Sequence, residues 1–375
     1  MTQAHQPESR SSVCDLARSD LEALVVELGD GPDRARQVWR AVHHELRESF
    51  DEMAFLSTPV REGLKERFAI GLLETAYYAT SDDGTVDKAL FRLADGELIE
   101  TVLMRYAADG HRRVRRTVCV STQAGCAWGC TFCATGQQGF KRHLSVGEIV
   151  SQVLFMERIA RAEDEEPHGG RRRSAGQRRG VTNVVYMGMG EPLANYDNTL
   201  GSIRTLIDEQ GLHIGIRHVT LSTVGLVPQI MELANEGLPL NLAVSLHAAS
   251  NATRSETMPV NRRYPLEQLV EACRSYIKKT GRRIFFEYVL LHGQNDSVAQ
   301  AEALGRLLKG VPCHVNLIPV NPTDAGLFQR PSPVCRVAFQ QKLCDYGVPS
   351  TIRMEKGIDI NAGCGQLRAR VVGTT

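Results

Sequence analysis

Apolar positions recur at helical spacing through the first seventy residues and then change period twice. Leu16, Leu21, Leu24, Val25 and Leu28 fall on one helical face, and Gly29 follows as a stop. A second helix is expected from Arg34 to Ser49. A third opens at Ser57-Thr58-Pro59, a capping hydroxyl ahead of a first-turn proline. Between 73 and 104 the residues alternate instead. Two strand-like runs flank Asp95-Gly96, the turn signal of a β-hairpin. From about 115 onward, short apolar runs interleave with amphipathic stretches. The expected strands are Arg116–Ser121, Asn183–Met187, His218–Ser222, Leu240–Leu246, Ile284–Leu290, His314–Pro319 and Ser350–Arg353. The expected helices between them are about 145–162, 196–209, 226–236, 265–279, 297–309 and 333–346. Repeated β–α units imply an α/β fold with a parallel sheet, and about six units imply a partial (β/α)6 barrel. Function then belongs at the C-terminal ends of the strands. The expected divisions are 1–72 (helical), 73–114 (hairpin linker), 115–354 (barrel) and 355–375 (C-terminal loop and tail).

The chain has 375 residues, 42% hydrophobic and 23% charged, which suits a soluble globular protein and excludes global disorder. No apolar run reaches the length of a membrane span, and the first dozen residues lack the apolar core of a signal peptide. A cytoplasmic location with reduced thiols is expected. Charge is nearly balanced, 44 Lys and Arg against 43 Asp and Glu. That excludes a globally basic coat for nucleic acid but not local patches. Arg34, Arg36 and Arg40, then Arg112, Arg113, Arg115 and Arg116, then five arginines within Arg171–Arg179 are candidates for phosphate contacts. The last group lies in an insertion of uncertain role after the acidic run Glu163–Glu166.

Of ten cysteines, three form Cys126-x3-Cys130-x2-Cys133 just after a strand. Structural zinc wants four ligands, and no second paired knuckle is present. A 4Fe–4S cluster can take three thiolates and keep one iron open. The spacing matches the radical S-adenosylmethionine (SAM) superfamily, in which the open iron chelates SAM. Met187-Gly-Met-Gly190-Glu191 ends a strand, and its glycines permit close backbone approach to a ligand. Ser222, Ser245-Leu246-His247 and Asn321 fall at later strand ends. Gly190, Glu191, Ser222, Ser245, Leu246, His247 and Asn321 are the candidate SAM contacts; a tight βα turn would also satisfy the glycines, though the cysteine motif before it favours a ligand, and loop capping explains each of the later residues equally well taken singly.

The chain resembles the RlmN family of dual-specificity adenine carbon-2 methyltransferases acting on 23S ribosomal RNA and transfer RNA. The likeness covers nearly the whole chain. It is carried by Arg34-Ala-Arg-Gln-Val-Trp, Gly96-Glu-Leu-Ile-Glu100-Thr-Val, Cys119-Val-Ser-Thr-Gln-Ala-Gly-Cys126, Asn316-Leu-Ile-Pro-Val-Asn321-Pro and Asp359-Ile-Asn-Ala-Gly-Cys364-Gly-Gln-Leu. The resemblance implies a 4Fe–4S cluster on Cys126, Cys130 and Cys133, and two SAM per turnover. It implies Cys364 as an S-methylcysteine intermediate and Glu100 as proton acceptor. It implies Cys119 as the thiol that resolves the RNA adduct through a transient disulfide with Cys364. The tRNA target would be the adenine 3′ to the anticodon. A flavodoxin-like reductant and a monomer are expected. Two other readings stay open: a related carbon-8 adenine methyltransferase of the resistance type, and a zinc-stapled RNA-binding module without catalysis.

Overall fold

In the N-terminal segment the helical apolar period closes into α1 (Arg18–Glu27), α2 (Pro32–His43) and α3 (Thr58–Arg67). Leu21 and Val25 of α1 and Val38, Trp39 and Val42 of α2 are buried, and the two helices pack together. Helix α2 ends short of the expected Ser49 because Leu46 turns into the left-handed region at φ 62°. A short parallel pairing of β1 (Ser11–Ser12) with β2 (Phe68–Ala69) ties the ends of this segment together. The computed structural model describes residues 11–71, 73–108, 114–165, 180–321 and 326–367. Arg112, Arg113 and the Arg171–Arg179 group lie outside the described residues.

The remaining strands are β3 (Glu74–Thr80), β4 (Val86–Arg92), β5 (Leu98–Tyr106), β6 (Arg115–Cys119), β7 (Gln123–Gly125), β8 (Phe140–His143), β9 (Asn183–Tyr186), β10 (Val219–Thr223), β11 (Asn241–Ser245), β12 (Ile284–Leu290), β13 (Cys313–Pro319) and β14 (Ser350–Ile352). The helices are α4 (Ala134–Gln138), α5 (Val146–Glu165), α6 (Tyr196–Ile207), α7 (Val227–Leu233), α8 (Asn251–Thr257), α9 (Leu266–Thr280), α10 (Val298–Leu308) and α11 (Pro333–Asp345). Ten strands form one sheet, ordered β14-β13-β12-β11-β10-β9-β6-β5-β4-β3. From β6 through β14 neighbours run parallel, which gives the expected partial barrel. Strand β12 reads IFFEYVL and is buried almost throughout, the near-continuous apolar run that a strand covered on both faces requires.

Two expectations change. Of the expected hairpin region, residues 74–106 form a three-stranded antiparallel meander rather than a two-stranded hairpin, because β3 also pairs with β4. Strand β3 sits at the sheet edge with both faces largely exposed, so its sequence carries no alternation to read. The meander is also continuous with the barrel, since β5 pairs antiparallel with β6. That pairing sets Val102 opposite Cys119, and β4 sets Lys88 opposite Val102. These three residues therefore share one face of the sheet.

The capping box read at Ser145 and Glu148 forms: the Ser145 N–H donates to Glu148 (3.0 Å), and the Glu148 N–H donates to the Ser145 hydroxyl (3.2 Å). Helix α5 also receives the N-terminal segment. The Gly147 N–H donates to Asp15 (2.6 Å), and Arg161 donates to the His44 carbonyl (2.7 Å).

Candidate active site

The three-cysteine loop begins where β7 turns out of its ribbon with β8. Gly125 has φ +73°, and a Cβ there would fall 1.9 Å from the Gly139 carbonyl oxygen, so only glycine lets the ribbon close. The Cys126 N–H then donates to that same carbonyl (2.9 Å). Further along, the Thr131 N–H donates to Thr257 (3.0 Å) and the Cys133 N–H to Cys130 (3.1 Å). The loop is thus pinned at its start, middle and end. Burial pushes the Cys126 thiol up to about 12, and burial with the neighbouring sulfurs raises Cys130. Thiols this desolvated and mutually repelling suit a site whose metal supplies the compensating positive charge. Among the described residues no three His, Cys, Asp or Glu side chains converge on one ion-sized point.

Beside this loop a cavity crosses the strand ends. Gly190, Glu191, Ser222, Ser245, His247 and Asn321 all line it, together with Cys133, Glu287, Arg353 and Cys364. Gly190 has φ +100°, and a Cβ there would lie 2.6 Å from the Gln123 side chain, so the backbone can run here only without one. Glu191 is buried. One of its oxygens accepts from the Leu193 N–H (3.0 Å) and the other from Val224 (2.7 Å), while burial lifts its carboxyl to about 7. His247 Nδ1 accepts from the Val289 N–H (3.0 Å), and burial lowers the ring to about 3, which leaves a neutral imidazole with its proton on Nε2.

Leu246 does not join this group. Its side chain is fully buried away from the cavity, because it sits one position out of phase with Ser245 and His247. Its carbonyl instead accepts from Arg254 Nε (3.1 Å).

Arg254, Glu287 and Arg353 were not legible beforehand. Buried Arg254 also donates to the carbonyls of Val224 (2.8 Å) and Ser245 (3.2 Å), clamping the ends of β10 and β11. A lone arginine in a short helix gives no signal of that role.

A second cavity adjoins the first and shares Met187, Ile318, Asn321, Arg353 and Cys364 with it. Cys119, the last residue of β6, lines it from the sheet side, and Cys364 faces it from the C-terminal loop. Burial pushes the Cys119 thiol up to about 12. Desolvation also raises Cys364, and the Arg353 guanidinium opposes that rise. All ten cysteines are free thiols, so the expected link between Cys119 and Cys364 is not a standing disulfide. The loop carrying Cys364 is held from several sides. Asn321 donates to the Cys364 carbonyl (3.0 Å), and the Ala134 N–H donates to Gly365 (2.9 Å). Thr135 donates to Leu367 (2.7 Å).

Glu100 lies on β5, two residues before Val102, and so projects from the same sheet face as Cys119. It is buried and paired with Lys88 Nζ at 3.2 Å.

Of the described candidates for phosphate contact, Arg34 is half-buried and Arg36 and Arg115 are exposed, with Arg115 over the Tyr106 ring at 4.0 Å. Arg36 pairs with Asp33 on the same helix. Arg116 is a correction. Strand alternation turns it inward, where it makes two 2.9 Å bonds to Asp164, so its charge is already neutralised.

A parallel sheet with a three-cysteine loop after its first barrel strand, and a glycine-bordered cavity across the strand ends, defines a radical SAM enzyme. The Radical SAM superfamily profile matches residues 171–303. The Ribosomal RNA large subunit methyltransferase N-terminal domain matches residues 12–70. The chain belongs to the RlmN family. It is 47% identical to "Dual-specificity RNA methyltransferase RlmN 1" of Myxococcus xanthus, over 97% of this chain and 96% of that one. It is 46% identical to a probable dual-specificity RNA methyltransferase RlmN of Chloroflexus aurantiacus, over 98% and 95%. The crystal structure of a radical SAM methyltransferase from Sphaerobacter thermophilus superimposes with TM-score 0.89 at 46% identity, covering 96% of this chain and 100% of that one. The cofactors are accordingly a 4Fe–4S cluster and SAM. Among the described residues no helix is long and apolar enough to cross a membrane.

Proposed function

We propose that this SAM-dependent RNA methyltransferase methylates carbon 2 of an adenine in 23S ribosomal RNA and of the adenine 3′ to the anticodon in transfer RNA. The observation that carries the reading is the placement of Cys119 and Cys364 on one cavity that adjoins the strand-end cavity. Two thiols facing one substrate space are what a methyl carrier and a resolving thiol require.

Adenine carbon 2 is electron-poor and offers no nucleophile, so direct displacement on SAM is unfavourable. Cys364 is the first acceptor. As a thiolate it takes the methyl of one SAM and releases S-adenosylhomocysteine. Cys126, Cys130 and Cys133 hold the cluster. When bound, the cluster supplies the electron that cleaves a second SAM and accepts the electron the RNA adduct later gives up. Methylated Cys364 would present its S-methyl group toward the SAM held at the cluster, whose radical chemistry would activate that methyl carbon for bonding to carbon 2 while the sulfur stays on the protein. Glu100 receives the carbon-2 proton. The Cys119 sulfur then attacks the Cys364 sulfur. The S–C bond breaks with its electron pair on carbon, which takes up a proton to become the new methyl. The resulting transient disulfide is reduced by two external electrons from a flavodoxin-like donor. Gly190, Glu191, Ser222, Ser245, His247 and Asn321 bound the SAM cavity. Arg34, Arg36 and Arg115 contribute phosphate contacts, and the target adenine leaves its stack to reach the thiols.

Nucleoside mass spectrometry on RNA incubated with the reconstituted enzyme, SAM and a reductant tests the reading. The expected product is 2-methyladenosine; 8-methyladenosine alone would overturn it.

A further inference from the structure

Lys88 is buried, only 5% exposed, and the reading above gives it no role. It lies on β4, outside the barrel and outside every cysteine motif. A buried lysine is costly unless its ammonium is neutralised by partners. Its Nζ reaches two groups. One is Glu100 Oε1 at 3.2 Å, with the Glu100 side chain only 4% exposed. The other is the Asn361 carbonyl oxygen at 3.4 Å, three residues before Cys364 on the C-terminal loop. Register places Lys88, Val102 and Cys119 across three neighbouring strands on one face. A single cation thus touches the proton acceptor and the methyl-carrier loop while sharing a sheet face with the resolving thiol.

We infer that Lys88 is a positioning residue that keeps Glu100 ionised, and aligned with the Cys364 loop, for the carbon-2 deprotonation step. This inference rests on the proposed roles of Glu100 and Cys364. Without a cation beside it, a carboxyl buried this deeply takes up a proton and ceases to be a base. With Lys88 in place the buried carboxylate has a cation 3.2 Å away. It can then accept the carbon-2 proton, becoming a carboxylic acid while the electron pair of the broken C–H bond stays with the ring. The bond to Asn361 makes the arrangement conditional on a docked loop. Methyl transfer to Cys364 has no need of Glu100, so the Lys88–Glu100 pair bears on the second half of the reaction; the contact to the Asn361 carbonyl, at 3.4 Å, is the longer and weaker of the two.

The test uses the full chain with its cluster reconstituted, comparing wild type with Lys88→Met, Lys88→Gln and Lys88→Arg. Three quantities are read: one methyl gained on Cys364 with SAM alone, RNA held covalently on the enzyme after SAM and dithionite, and the rate of RNA release. We expect Lys88→Met to methylate Cys364 within about two-fold of wild type yet release RNA roughly ten-fold or more slowly, so that adduct accumulates, an effect within the range of general-base catalysis. Lys88→Arg should restore release, and adding Lys88→Met to Glu100→Gln should slow release no further. Lys88→Gln carries the same comparison if the methionine variant does not fold. Unchanged release in Lys88→Met and Lys88→Gln, or an equal loss of Cys364 methylation and release in them, would overturn the inference while leaving the proposed function intact. A wild-type enzyme that forms neither methylated Cys364 nor adduct would instead overturn the proposed function, and this inference with it.

Discussion

The side-chain amide of Asn321 donates a 3.0 Å hydrogen bond to the backbone carbonyl of Cys364. Arg330 in turn donates to the Asn321 oxygen at 3.0 Å, so the amide is oriented from behind. Asn321 therefore lines the strand-end cavity and holds the loop that borders it. Asn321→Ala should cost about 1 kcal/mol of stability, the usual worth of one such bond. Loss of loop alignment should slow methylation of Cys364 roughly ten-fold or more. Urea denaturation and protein mass spectrometry check the two effects, with the iron content unchanged.

The two thiols separate the chemical steps. Cys364→Ala should leave the cluster intact and abolish methylation. Cys119→Ala should allow addition to RNA and then stall, giving a slow-migrating protein–RNA band on a denaturing gel. If Cys119→Ala yields free methylated RNA at the wild-type rate, the resolving role is wrong.

The arginines divide by burial. Arg116→Met leaves Asp164 buried without its guanidinium and should destabilise the fold by roughly 3–5 kcal/mol. It should not change the salt dependence of RNA binding. Arg115→Ala should do the reverse, reducing the slope of log affinity against log salt by about 1 with little change in stability. Filter binding across a salt series, paired with thermal melts, checks both.

Methyl transfer to Cys364 should rise with pH. Cys364 is an exposed thiol whose surroundings hold it above, not below, its ordinary 9.0, so near neutrality the thiolate is a small fraction and grows about ten-fold per pH unit. Single-turnover labelling with methyl-labelled SAM between pH 6.5 and 8.5 should show that increase. A flat profile would count against thiolate attack as the limiting event.

Acid should destabilise the protein through buried neutral histidines. Burial lowers His43 from 6.5 to about 4 and His247 to about 3. The folded pKa lies below the unfolded one, so below pH 6.5 the unfolded chain binds more protons. Stability is therefore lost as pH falls from 6.5 toward those folded values. Urea midpoints at pH 7.5, 6 and 5 should decline, and His43→Gln should decline less steeply.

Much of the barrel was legible because its strands and helices announce themselves by period. Ile284–Leu290 appears as a strand exactly where the apolar run placed it, and the Ser145–Glu148 box starts its helix as read. The edge strand β3 was not legible, since exposure on both faces removes the alternation. The cysteine loop and Gly190-Glu191 could be found because spacing and glycine encode close approach. The Ser245-Leu246-His247 motif does not say which side chain turns inward, and the fold buries that of Leu246. Arg116 looked like a surface charge because its partner, Asp164, lies 48 positions away. Lys88 and Arg353 gave no signal for the same reason: their partners are assembled only by the fold.

The Val102–Cys119 pairing has a consequence for how this chain can vary. Side chains alternate faces along a strand, so a single residue inserted within β5 would send Glu100 or the residues pairing with Cys119 to the wrong side. Two inserted residues would preserve the facing but displace Glu100 along the strand by a full repeat. Length changes in this part of the gene should therefore be confined to the turns, and a family tree of such chains should show the meander strands as its most length-invariant segments outside the cysteine loop.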